Sequence, residues 1–154
     1  MYLDLVIETD SLGNDLLRSA ARLSRWASRN ASFDVPFAQA RLLALVDELG
    51  PSRVSVLAAA DHSSQPTITT QLHKVEAAGW VRREGDPDDA RASVVSLTEA
   101  GQAALAGVRR ARLAVLAPAL DQLDDTGRDR MRVAVEVINE LLRAATEATD
   151  HTTS

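Results

Sequence analysis

The sequence predicts a mainly α chain interrupted by one small β-hairpin. Two observations carry that prediction. Over most of the chain, apolar residues recur at three- and four-residue spacings, the period of an amphipathic helix. Between Trp80 and Leu97 the period falls to two, and after Thr98 it returns to the helical value. Composition agrees with both. The chain is 45% hydrophobic but only 3% aromatic, so its core is aliphatic, and an Ala-rich aliphatic core suits closely packed helices. Its 154 residues suit one domain with helical extensions.

The elements follow in order. A first helix is expected from about Asp10 to Arg29, with Leu12, Leu16, Leu23 and Ala27 as its apolar stripe and Asp10 or Ser11 as its cap. Arg18, Arg22, Arg25 and Arg29 share the same spacing and form one basic stripe. That stripe reads as a solvated face, or as a surface that meets phosphate or a partner. Asn30 to Val35 reads as a loop. Pro36 suits the first turn of a second helix, Phe37 to Leu49, which Gly50 and Pro51 end. Ser52 can cap a short third helix, Arg53 to Ala60. Asp61 to Ser64 has turn chemistry. Ser64 or Gln65 can cap a fourth helix that runs to about Ala78, with Pro66 tolerated in its first turn and Gly79 as the left-handed residue beyond its end.

Trp80 to Arg83 and Ala92 to Leu97 are expected to be the two strands of the hairpin, with Gly85 to Asp89 as the turn region and Trp80 packed beneath it. Thr98 and Glu99 open a long helix towards Leu123, which Pro118 should kink or restart. Asp124, Asp125 and Thr126 cap a last helix to about Ala145, striped by Met131, Val135, Ile138, Leu141 and Leu142. The tail from Thr146 should fray. Three short helices followed by a hairpin form a winged helix-turn-helix, here with an α-helical dimerisation region around it. The expected organisation is an N-terminal dimerisation helix in 1–35 and a winged helix-turn-helix in 36–98. C-terminal dimerisation helices follow in 99–148, and 149–154 form a frayed tail.

Several function classes fall away. There is no cysteine, which excludes a disulfide scaffold, a thiolate zinc site and a cysteine redox switch. The first ten residues lack a basic n-region, and no apolar run approaches the ~20 residues that span a bilayer, so a cytoplasmic protein is expected. His62, His73 and His151 have no metal-ligand spacing and no nucleophile motif beside them. No enzyme activity, cofactor or metal is expected.

The fourth helix carries the candidate chemistry. Ile68, Leu72 and Val75 share one face and must point inward. Pro66, Thr67, Thr69, Thr70, His73 and Lys74 lie around the other side, which is short, polar and nearly uncharged. Such a surface suits a DNA major groove: Thr and Gln side chains reach base edges or phosphates, and Lys74 reaches a phosphate. The free N–H groups at the helix start, near Ser63, Ser64 and Gln65, favour a phosphate. At the hairpin tip Asp89 and Arg91 are two apart, so in extended chain they project to one side. A carboxylate there can hold the guanidinium in a fixed pose for a narrow minor groove.

These residues resemble a known family. Asp89-Ala90-Arg91, then five residues, then Leu97-Thr98-Glu99-Ala100-Gly101 is similar to the wing signature of the multiple antibiotic resistance regulator (MarR) family. Ser64-Gln65-Pro66-Thr67-Ile68-Thr69 resembles the start of that family's recognition helix, and Val75-Glu76-Ala77-Ala78-Gly79-Trp80-Val81 its end. The resemblance implies a homodimeric transcription regulator whose first and last helices interleave. It implies one recognition helix per subunit in a major groove, the Arg91 wing in the adjacent minor groove, and a pseudo-palindromic duplex operator. Arg53 and Arg83 join the expected DNA-binding set. It also implies repression relieved by a small aromatic or phenolic effector, with Trp26, Phe33 and Phe37 near the pocket wall. The lack of cysteine rules out a thiol-based peroxide sensor.

Charge runs the other way. The chain carries a formal net charge of −5. Between Ser52 and Arg91, five positive residues (Arg53, Lys74, Arg82, Arg83, Arg91) face six negative ones (Asp61, Glu76, Glu84, Asp86, Asp88, Asp89), leaving −1. Position 90 is Ala where the family often has a second basic residue. Weak DNA binding with few neutralised phosphates per subunit is therefore expected. The alternative is a winged-helix protein–protein interaction module without DNA binding.

Overall fold

The structure is a computed structural model that describes residues 2–86, 89 and 92–152, with side chains from residue 10 to residue 148. The chain divides into two compact units, residues 1–115 and 116–154. The elements are α1 (Tyr2–Asn30), α2 (Phe37–Leu49), β1 (Ser52–Arg53), α3 (Val54–Ala60), α4 (Gln65–Ala77), β2 (Val81–Gly85), β3 (Ser93–Leu97), α5 (Glu99–Leu120) and α6 (Asp125–Thr152). The predicted order of helices and hairpin is the observed one.

In the first unit, α2, α3 and α4 close around a core whose most deeply buried side chains are Leu43, Val46, Leu57, Leu72, Val75 and Val95. Each such aliphatic side chain contributes roughly 1.5–3 kcal/mol by burial. As the spacing predicts, α4 buries Ile68, Leu72 and Val75. Phe33, Trp80, Leu97 and Ala104 pack at its margin, half-buried. The strands form one antiparallel sheet in the order β1-β3-β2. Val81 pairs with Leu97 and Gly85 with Ser93.

Three sequence expectations are corrected. First, α1 begins at Tyr2, so Asp10 and Ser11 lie inside it rather than capping it. No Pro or Gly between Tyr2 and Asp10 stops a helix, and a good cap residue matters only where a helix begins. Second, Ser52 does not cap α3. It is buried and pairs with Val95 in a strand too short to show any period, and Arg53 takes the N-cap position without a side-chain bond. Pro118 lies inside α5, which ends two residues later at Leu120. The new start comes at α6, where Asp124 Oδ1 accepts from Gly127 N at 2.7 Å. Third, the last helix, expected to end near Ala145, runs on to Thr152, with Thr146 Oγ1 donating to Leu142 O at 2.8 Å.

One joint holds α4, the hairpin and α5 together. Gly79 follows α4 with φ +74°, a left-handed turn that glycine makes without strain. Trp80 O then accepts from Thr98 N at 3.0 Å. The Thr98 hydroxyl donates to Gly79 O at 2.6 Å and accepts from Gly101 N at 3.0 Å, capping α5. Gly101 is there because nothing larger fits: an added Cβ would lie 1.9 Å from Trp80 O. Gly107, in the same helix, has only open space or a mobile Arg110 tip nearby. Gly101→Ala should therefore destabilise the protein by about 1–3 kcal/mol or more through overpacking. Gly107→Ala should be neutral or stabilising by up to about 1 kcal/mol. Urea unfolding of both variants checks the contrast; equal stabilities would refute the steric account.

Candidate nucleic-acid interface

Burial of Ile68, Leu72 and Val75 leaves the opposite side of α4 facing solvent. Gln65, Pro66, Thr67, Thr70, His73 and Lys74 are exposed, and Thr69 is half-buried at the edge. Ser64 caps the helix: its Oγ accepts from Thr67 N at 3.4 Å and shares a 2.8 Å hydrogen bond with the Thr67 hydroxyl. The Thr70 hydroxyl donates to Pro66 O at 2.9 Å. Of the expected helix-start residues, Ser63 stands apart. Its hydroxyl donates inward to the Asp61 carboxylate, so it braces the turn instead of joining the exposed face. In that turn His62 adopts φ +51°, which closes the chain between α3 and α4.

The turn is also held from α2. Arg41 Nε donates to Asp61 Oδ1 at 2.8 Å, and a second nitrogen donates to Asp61 O at 3.2 Å. The Asp61 side chain is largely buried, at 13% exposure. Charged partners thus fix the start of α4 from behind, while its outer face stays free.

The two other expected cations do not reach that face. Arg53 Nε lies 2.5 Å from Asp86 Oδ2, whose side chain is only 5% exposed. Arg83 turns inward: its Nε is 3.2 Å from Glu76 Oε2 but off hydrogen-bond geometry, and its Nε and Nη2 are buried. Arg83 therefore ties β2 to the end of α4. Period-two alternation in β2 puts it on the face of Val81, which is the buried one. At the hairpin tip, Asp86 N donates to Ala92 O at 3.1 Å and Ala92 N to Asp89 O at 2.9 Å. Asp89 is exposed. Arg91 and its expected pairing with Asp89 lie outside the described residues. Lys74 forms no ion pair among the described residues.

A model described as "MarR family" matches residues 37–93, from the start of α2 to the start of β3. An HTH-type transcriptional regulator of Mycobacterium leprae is 30% identical over 139 residues, covering 89% of this chain and 97% of the relative. The chain belongs to the MarR family of transcription regulators. A solved transcriptional regulator from Pseudomonas aeruginosa is 27% identical with a TM-score of 0.74, covering 86% of this chain and 94% of that one. A mutant MarR from Escherichia coli, solved with operator DNA, shares the fold at 19% identity and a TM-score of 0.55, covering 80% of this chain and 93% of that one.

This MarR-family chain also carries a cavity of about 240 Å³ lined by Ser24, Ser28, Phe33, Phe37, Ala40, Arg41, Ala44, Leu105, Val108, Arg109 and Arg112. It brings together two of the three aromatic residues singled out from sequence, Phe33 and Phe37. Trp26 lies instead in an open groove along α1 with Ser19, Arg22, Leu23, Arg25 and Arg29. Sequence reasoning missed Ser24, Arg109 and Arg112, because only folding brings α1 and α5 to one wall. Arg112 donates to the Ser24 hydroxyl at 2.8 Å, and Arg109 pairs with Asp47 at 2.7 Å.

Among the described residues no helix is long and apolar enough to cross a membrane. No cluster of three or more His, Asp and Glu residues there could hold a metal. Since Arg53, Arg82 and Arg83 each face a carboxylate within 3.3 Å, few cations remain to neutralise phosphates. The slope of log affinity against log salt should therefore be shallower than about −8 for a dimer on duplex DNA. Lys74→Ala should weaken every duplex alike and flatten the slope by about 2, one unit per subunit. A steeper slope in a salt titration would contradict this account of the charge.

Proposed function

We propose that this regulator acts as a cytoplasmic homodimer that represses transcription from a pseudo-palindromic duplex operator and releases it when a small aromatic acid binds. The observation that carries the DNA reading is α4: three buried aliphatic side chains on one face, and a capped, nearly uncharged polar surface on the other. Such a helix enters a major groove with its first turns against base edges. Each subunit supplies one α4 and one wing, whose tip carries Asp89 and Arg91.

The dimer reading rests on apolar surface. In the isolated chain α6 exposes Met131, Val133, Val135, Val137, Leu141 and Leu142, and α1 exposes Leu12, Leu17, Leu23 and Trp26. Side chains of this size along two helices call for a partner surface. We assign residues 1–35 and 99–148 to dimerisation, and 36–98 to DNA binding.

The effector reading rests on the cavity of α1, α2 and α5. Two phenyl rings give it apolar walls. Arg112, whose only side-chain partner among the described residues is neutral Ser24, gives it an uncompensated positive charge. An aromatic carboxylate or phenolate satisfies both.

Selection of bound sequences from a random duplex pool tests the DNA reading. The expected outcome is a palindrome with half-sites one helical turn apart, about 34–36 Å. The internally paired cations favour one rival, a winged helix that binds protein instead. Failure to enrich any sequence would select that rival, as would operator binding unchanged by the combined Lys74→Ala and Arg91→Ala substitutions. For the effector, a hydroxybenzoate should dissociate the wild-type complex. Arg112→Ala should still bind operator but need at least tenfold more hydroxybenzoate, the ratio that about 1.4 kcal/mol of lost charged contact gives. Equal sensitivity of both proteins in a titration would sink the cavity assignment.

A further inference from the structure

The first two turns of the exposed face of α4 carry no charge, and the hydroxyl groups of Thr67 and Thr70 are already bonded within the helix start. The Thr70 proton goes to Pro66 O, and the Thr67 hydroxyl is bonded to the capping Ser64. A hydroxyl that satisfies its own helix has little left to donate to a base edge, and its side chain meets a partner chiefly through its methyl group. Pro66, exposed beside them in the first turn, adds more apolar surface. The first two turns of α4 therefore present a ridge made of Pro66, Thr67 and Thr70: carbon outward, with the polar atoms turned to the helix.

In the major groove one feature of a base pair answers carbon with carbon, the 5-methyl group of thymine. We infer that Thr67 and Thr70 determine specificity by packing against thymine methyls, so that each operator half-site carries thymine where the start of α4 meets it. The inference rests on the DNA-binding reading above and adds what that helix selects. It fits the charge as well. With few cations free to hold phosphates, a larger share of the binding free energy must come from such close apolar contacts.

Deoxyuridine provides the test, because it lacks only the methyl and keeps every base-pairing and groove hydrogen-bonding group of thymidine. Affinities of the full-length protein are measured on selected duplexes in which each thymidine is replaced in turn. At one thymidine of each half-site, replacement should weaken binding about fourfold, and about fifteenfold in both half-sites, at ~0.8 kcal/mol per buried methyl-sized group. Thr70→Val keeps a methyl-bearing branched side chain and should keep that thymidine-to-deoxyuridine ratio. Thr70→Ser keeps the hydroxyl, loses the methyl and should bring the ratio close to one. A merely structural role for Thr70 would leave the ratio unchanged in both variants. If bound duplexes tolerate deoxyuridine everywhere, or if Thr70→Ser retains the full ratio, methyl recognition is overturned while DNA binding stands. If no duplex is bound at all, the DNA-binding reading falls first and this inference with it.

Discussion

The contact of Trp80 O with the backbone of α5 at Gly101 is the constraint on which the arrangement of α4, the hairpin and α5 depends. α4 ends at Ala77 and the chain turns at Gly79, β2 begins at Val81, β3 ends at Leu97 and α5 begins at Glu99. All four ends meet within a few ångströms. Thr98 serves three of them at once, through its N–H to Trp80 O, its hydroxyl to Gly79 O, and the same hydroxyl as acceptor for Gly101 N. The space between Trp80 and α5 admits a hydrogen atom and no methyl group. The angle of the wing relative to α4 is therefore set by a backbone contact. A backbone contact cannot change rotamer, so it holds that angle more rigidly than side-chain packing would.

Charge does a different kind of work in this unit. In most nucleic-acid binders basic residues advertise the interface. Here three arginines are occupied in construction: Arg41 steadies the turn before α4 through Asp61, Arg53 anchors Asp86 at the far end of β2, and Arg83 fastens β2 to Glu76 on α4. Asp86, at 5% side-chain exposure, is the most deeply buried carboxylate of these pairs. Removing one partner of such a pair leaves a buried charge uncompensated, which costs more than the pair contributes when whole. The near-neutral balance of the region is thus a property of its scaffold. It says little about the outer face of α4, where hardly any charge of either sign is present.

The sequence made some of this legible and hid the rest, for physical reasons. The inward face of α4 was readable because burial imposes a period on Ile68, Leu72 and Val75. Gly79 was readable because a helix end leaves a local signature. Gly101, by contrast, looks like a blemish in a helix until its neighbour is known, and that neighbour is 21 positions away in sequence. Ser52 looked like a cap because Ser before a helix usually is one; its pairing with Val95 is a long-range fact that two residues cannot announce. Arg53 and Arg83 were grouped with the DNA contacts by charge alone. Their partners, Asp86 and Glu76, come from other elements, and only the fold shows that those charges are already balanced. Trp26 and Phe37 looked equivalent as lone aromatics, yet they line separate hollows.

One residue of α2, Arg41, links the cavity to the turn before α4, and that bears on how an effector would be read. Arg41 lines the cavity with Phe33 and Phe37, and its guanidinium is committed to Asp61 at the turn before α4. Asp61 in turn accepts the Ser63 hydroxyl, and Ser64 next to it caps α4. Wall and cap are thus linked through a short series of bonded groups. The three arginines of the cavity are not equivalent towards an anion. Arg41 and Arg109 already face carboxylates, Asp61 and Asp47, while Arg112 faces a neutral hydroxyl. An anion entering the cavity meets its largest uncompensated charge at Arg112. It could draw on Arg41 only by competing with Asp61, and so only by loosening the turn that sets the first residues of α4.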